Sequence, residues 1–225
     1  MKSLRTLAAA AALVALSGAA QAALVNRGGG MIYDTVRNIT WLVDMNYAQT
    51  SGHTGTGVNA NGRMTWDAAT DWANNLVYGG FSDWRLPTLN PNDASCTGGF
   101  PVGFGYNCTG GELSGLFVTD LGYNNNGSGL ITSDDTATQI ANLTLFSNVQ
   151  SNVYWSGTEY APNPDGAWTF RTSIGIQSSD GKNDAFYAVA VRPGDVAAAV
   201  PEPQTLALAL LALGATVVAR RRRPA

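Results

Sequence analysis

Two apolar segments, one near each end, restrict where this chain can build a folded core. The C-terminal one lies in "VPEPQTLALALLALGATVVARRRRPA": the run 206–219 is 14 residues long and an arginine block, 220–223, follows it. A spanning helix usually needs about 20 apolar residues, so this one is short. The arginines can stay cytoplasmic and hold the segment in the bilayer. Pro201 and Pro203 keep the residues before them out of helical conformation. Extended spacer, short apolar helix and basic stop are the layout of a removable anchor. At the other end, "MKSLRTLAAAAALVALSGAAQA" has a basic start (Lys2, Arg5), an apolar stretch, and small residues at Ala20 and Ala22. That pattern is a secretory signal peptide, cut after Ala22 by signal peptidase. The expected organisation is signal peptide 1–22, folded domain 23–199, and tail 200–225 with its membrane helix at 206–219.

Pro201-Glu202-Pro203, the short apolar run and the arginine cluster together resemble the PEP-CTERM sorting signal of Gram-negative bacteria. The resemblance implies cleavage near the motif by a membrane-embedded exosortase. It also implies a transient inner-membrane stage and delivery to the cell surface or exopolysaccharide matrix. An ordinary single-pass anchor is the alternative.

The segment between the two ends is a comfortable size for one domain. Seven of the 13 basic residues and fifteen of the 16 acidic ones fall within 23–199, leaving a net charge near −8 there. Nucleic acid is excluded as a partner, because phosphate binding needs clustered Lys and Arg. A strongly anionic polysaccharide is disfavoured for the same reason unless cations bridge the two.

Cys96 and Cys108 lie in a stretch crowded with Gly, Pro, Asn and Thr. In an oxidising compartment they are expected to form a local disulfide. A metal site needs more ligands, and the one histidine, His53, is far away in sequence.

The domain reads as α+β. "MIYDTVRNITWLVD" reads as two short strands turning near Arg37-Asn38, and 49–63 as a loop. "TWDAATDWANNLVYGG" is the one convincing helix, about 65–78. Thr65 suits the N-cap and Asp67 the first turn; Trp66, Ala69, Ala73 and Leu76 share a face, and Gly79-Gly80 ends it. Loops are expected to dominate 90–129. The final stretch, 167–193, reads as strands broken at Asp180-Gly181.

The segments "DTVRNITWL", "TWDAATDWANNL", "GGFSDWRLPT", "GELSGLF", "YWSGTEY" and "AFYAVAVRPG" stand in an order that resembles the Lcl C-terminal domain family. The family is grouped with C-type-lectin-like folds: small antiparallel sheets, packed helices, and long loops at one end. The resemblance implies attachment to glycans or surfaces. It also implies structural roles for Asp83, Trp84, Arg85, Pro87 and Glu159, with Glu159 a buried carboxylate bonded to backbone or to Arg85. One departure is an insertion, 89–110, which carries both cysteines and is expected to lie over the surface and confer specificity. Another is the loss of two cysteines that many relatives carry; matching the motifs puts Ala73 and Ala190 at those positions, and the two are expected to face each other in the core.

No enzyme is expected. No nucleophile-elbow motif appears, nothing places His53 beside an activated serine, and metal-hydrolase spacing is absent with a single histidine. Asp134-Asp135 reads as a solvated turn. For sugar stacking, Tyr106, Tyr123, Asn124 and Asn125 are loop candidates, joined by Trp155 and Tyr160 of the "YWSGTEY" segment. Trp66, Trp72 and Trp84 read as packing residues. "APNPDG" (161–166) and "KND" (182–184) faintly echo the ligand loops of calcium-dependent lectins, with Ala161 where an acidic residue would stand. No cofactor is otherwise implied. Two classes stay open: a glycan- or surface-binding protein, with polysaccharide as partner, and a structural matrix component without a specific ligand.

Overall fold

A computed structural model describes residues 24–99, 101–123 and 136–196. The expected signal peptide and tail, with Ala20, Ala22, Pro201, Glu202 and Pro203, lie outside the described residues, as does the Asp134-Asp135 pair. No helix among the described residues is long and apolar enough to cross a membrane.

The described residues form two antiparallel sheets with short helices between them. Strands β1 (Leu24–Gly28), β2 (Met31–Asp34) and β3 (Ile39–Leu42) make a meander. The turn falls where expected, and Asn38 takes the left-handed conformation there, with φ 53°, which Asn tolerates better than most residues. Two short helices follow, α1 (Tyr47–Thr50) and α2 (Trp66–Asn74). Helix α2 is shorter than expected. Thr65 occupies the N-cap, but its hydroxyl makes no capping bond, and the helix stops at Asn75. Gly79-Gly80 instead forms the turn between Tyr78 and Phe81. The buried face is Ala69, Trp72 and Ala73, with Trp66 and Leu76 half-buried.

The stretch expected to be mostly loop is more regular than that. It holds a tiny hairpin, β4 (Thr97–Gly98) with β5 (Gly105–Tyr106), then α3 (Glu112–Ser114) and a π-helical turn, Gly115–Asp120. Helix α4 (Ala137–Leu143) carries a capping box: Thr136 Oγ1 accepts from Gln139 N, and Gln139 Oε1 accepts from Thr136 N. Strands β6 (Val153–Glu159), β7 (Gly166–Arg171), β8 (Ile176–Gly181) and β9 (Val191–Pro193) complete the described residues. The sheet orders are β1-β2-β3-β9 and β4-β5-β8-β7-β6. The last strand thus pairs with the third, Thr40 opposite Arg192, and brings the two ends of the domain together.

Two hydrophobic clusters form the core. One gathers Trp41, Phe117, Tyr154, Trp168 and Phe170; the other gathers Met64, Trp72, Ala73, Trp84, Trp155 and Ala190. Ala73 and Ala190 are both fully buried in this second cluster.

The segments quoted for the family resemblance interlock. Within "DTVRNITWL", Asp34 is fully buried and accepts from the backbone N–H groups of Val36 and Arg37, from Arg37 Nη1 at 2.6 Å, and from Trp41 Nε1. The same Arg37 Nη1 also donates to Asp120 at 2.6 Å. Gly115 leaves room for that guanidinium, since a Cβ there would collide with it. Asp83 pairs with Arg192, Trp84 is buried with its Nε1–H on the Tyr78 carbonyl, and the buried Pro87 gives its carbonyl to Gly157 N–H. Glu159 departs from expectation. Its side chain is half-exposed and pairs with Lys182 at 2.6 Å, while Arg85 takes Glu112 instead. Position 159 closes a strand, so its side chain points to the rim rather than inward.

Candidate functional site

The insertion 89–110 builds one wall of an open groove. The hairpin β4–β5 extends the second sheet by pairing Tyr106 with Ile176 and Gly105 with Gln177 on β8. Buried Gln177 donates from Nε2 to the carbonyls of Asn90 (3.0 Å) and Gly103 (2.7 Å), pinning the insertion at two places. Thr158 Oγ1 accepts from Leu89 N and donates to the Leu89 carbonyl. Asp93 organises the loop from inside, accepting from Ser95 N, Ser95 Oγ and Gly110 N. Gly103 sits at φ +90°, and any Cβ would strike the Pro91 carbonyl, so glycine alone fits this crossing.

The expected Cys96–Cys108 disulfide is formed, with the Cα atoms 4.1 Å apart, slightly closer than the usual range of about 4.4–6.8 Å. Closing this loop contributes about 3 kcal/mol by the chain-entropy argument.

The groove, about 480 Å³, lies between this wall and the β6–β7 turn. Its floor is an aromatic triad. Phe104 lies 4.5 Å from Trp168 and 5.7 Å from Tyr160, and Tyr160 lies 5.6 Å from Trp168, between ring centroids. Trp168 is 2% exposed, so the accessible rings are Phe104 and Tyr160. Pro91, Pro101, Val102 and Pro162 add apolar walls, and Asn92 and Glu159 supply polar groups at the edge. Lys182 neutralises Glu159 and rests its ammonium 4.3 Å from the Trp66 ring. The size and mix of apolar surface with few polar groups suit a small-molecule or polymer subsite.

Of the aromatic candidates drawn from the sequence, only Tyr160 lines this groove. Two others are corrected. Tyr123 is 1% exposed and packs 5.1 Å from Phe117, so burial holds its hydroxyl protonated far above the ordinary tyrosine range. Trp155 is fully buried and donates its Nε1–H to the Met64 carbonyl. A ring that supplies core contacts cannot also offer a face to ligand. Tyr106 is half-buried against Gly98 and does not line the groove. Asn124 and Asn125 lie outside the described residues. Phe104, Trp168 and the four apolar wall residues were missed. For Pro101, Val102 and Phe104 the signal was the density of Pro, Gly and aromatic residues in "FPVGFGY"; Pro91, Pro162, Trp168 and Gln177 gave no local signal.

The residues do not fit calcium. The 161–166 and 182–184 segments are neighbours, with Lys182 N–H donating to the Asp165 carbonyl, yet Ala161 offers no carboxylate where the lectin loop has one. Among the described residues, the one convergence of three ligating side chains is Asp93, Cys96 and Cys108, and both sulfurs are spent in the disulfide. His53 and Ser51 share a different cavity. Ser51 Oγ donates to the Ala48 carbonyl, not to an imidazole.

No curated protein matches the chain. Residues 199–223 match the PEP-CTERM protein-sorting motif. The motif marks an exported protein sorted by exosortase through a membrane-anchored precursor, as in Gram-negative bacteria.

Proposed function

We propose that the folded part of this chain is a non-catalytic, C-type-lectin-like module, similar to the Lcl C-terminal domain family, that binds glycan at the cell surface or in the exopolysaccharide matrix. The observation that carries the reading is the groove with Phe104 and Tyr160 on its floor. Aromatic faces stack on the C–H faces of sugar rings, while Asn92 and Glu159 can bond the hydroxyls at the edge. The pairing of the first three strands with the last, and the long insertion projecting from the second sheet, favour a lectin-like frame. A wall of proline and valine with one neutralised carboxylate suits an uncharged glycan better than an anionic one.

A glycan array, run with and without calcium, tests this. The expected result is calcium-independent retention of neutral glycans that Tyr160→Ala weakens at least tenfold. No retention under either condition overturns the binding reading and leaves a structural matrix component.

A further inference from the structure

The second cavity, about 490 Å³, opens between the 51–58 loop and helix α2. Its lining differs in chemistry from the groove. His53, Thr54 and Thr56 enter from the loop, Asp71 and Asn75 from the helix, and Trp72 closes the base. The His53 imidazole, the Asp71 carboxylate and the two threonine hydroxyls make no side-chain bond to any described residue. Asn75, in contrast, spends its amide on the Asp71 carbonyl. Thr54, Thr56 and Asp71 are exposed and His53 is half-buried, so their donors and acceptors face solvent beside a partly apolar surface and are open to a hydroxyl-rich ligand. An imidazole can donate and accept at once, a carboxylate can bridge two neighbouring hydroxyls, and Val58, Ala68 and Leu76 offer apolar surface to a sugar's C–H face.

The two cavities share no residue. They also rest on different cores: Phe104, Tyr160 and Trp168 belong to the first cluster, whereas Tyr47, Val58, Ala68, Trp72 and Leu76 belong to the second. Occupying one therefore leaves the other free. Resting on the glycan-binding reading above, we propose that the His53 pocket is a second saccharide site, which makes the domain bivalent. Bivalence lets one molecule bridge two polymer chains, or hold one chain with an affinity beyond either site alone. Asp71 is the charged group at this site and the domain around it is acidic, so the ligand is a neutral or amino sugar rather than a uronate.

The single histidine makes the test direct. The Hε1 proton of His53 gives one NMR line that reports this pocket and not the groove. The full chain in detergent micelles is titrated with diacetylchitobiose (neutral), chitobiose (amino) and digalacturonate (acidic). Saturable movement of the His53 line with the first or second, and none with the third, is expected. Tyr160→Ala leaves that movement intact while calorimetric stoichiometry falls from two sites to one; Asp71→Ala silences it while the groove still binds. A His53 line unmoved by all three probes, with calorimetry showing one site lost in Tyr160→Ala, overturns the second site and leaves the groove reading standing. No calorimetric binding and no movement overturn both.

Discussion

Arg85 grips Glu112 fork to fork, its Nη1 and Nη2 each donating at 2.7 Å to one oxygen of the carboxylate. Glu112 also accepts from the backbone N–H of Thr88 at 2.8 Å. Thr88 precedes the 89–110 insertion and Glu112 follows it, so this half-buried pair cinches the base of the loop that walls the groove. Two parallel charge-assisted bonds add directional specificity as well as energy.

This relationship fixes a pH response. Burial alone raises the Glu112 pKa, but the Arg85 and Thr88 bonds outweigh it and hold the carboxyl below its ordinary range. The folded state then binds the proton less readily than the unfolded chain. The stabilisation is present above the ordinary carboxylate pKa and is lost as pH falls through the lower folded value. Glu112→Gln is expected to cost about 1–3 kcal/mol at neutral pH and to flatten the acid limb of a melting-temperature profile. An unchanged acid limb would contradict the role assigned to the pair.

Asp34 and Asp120 share one guanidinium nitrogen of Arg37, yet neutralising them is expected to have unequal costs. Asp34 also holds two backbone N–H groups and Trp41; an amide there leaves buried donors unmet, so Asp34→Asn is expected to cost about 3 kcal/mol. For Asp120, burial raises the pKa more than Arg37 lowers it. Its charge therefore weakens the fold as pH rises through that elevated value, and Asp120→Asn is expected to cost less than about 1 kcal/mol at neutral pH. Urea denaturation of both variants decides; equal losses refute the assignment.

Cys96 and Cys108 matter to binding as well as to stability. The loop they close carries Pro101, Val102 and Phe104 into the groove. The double change to serine is expected to lower stability by about 3 kcal/mol and to weaken glycan retention together with it. Retention equal to that of the native chain, under conditions where the variant is folded, separates the groove from the disulfide.

Ala73 and Ala190, buried in one cluster, stand where the family resemblance implies a disulfide. Ala73→Cys with Ala190→Cys is expected to oxidise spontaneously and to add about 2–4 kcal/mol less any strain. Two titratable thiols in the unfolded, unreduced variant would count against the lectin-like frame.

Processing is read from mass. The surface-shed protein is expected to begin at Ala23 and to end near Pro201–Pro203. An intact mass that still includes the 220–223 arginines rules out cleavage of the tail.

Much of the local architecture is legible in the sequence because its causes are local. The β2–β3 turn needs a residue that tolerates positive φ, and Asn38 is there. The capping box of Thr136 and Gln139 has an equally local cause, a Thr three positions before a Gln. The cysteine pairing follows from count and compartment, and the sorting tail from the order of proline, apolar run and arginine. The site was not legible in the same way. Whether an aromatic ring stacks on ligand or fills a core depends on what packs over it, and that is set by residues distant in sequence. Tyr123 and Trp155 look like free rings in a linear reading, but Tyr123 is packed against Phe117 and Trp155 is buried with its Nε1–H on the Met64 carbonyl. Phe104 and Tyr160, 56 positions apart in the numbering, become one surface only because Gln177 pins the insertion onto β8. The sequence by itself determined the turns, the disulfide and the export route, each governed by neighbours along the chain. Tertiary structure alone decided which aromatics were left facing a groove, because burial is a property of the packed whole.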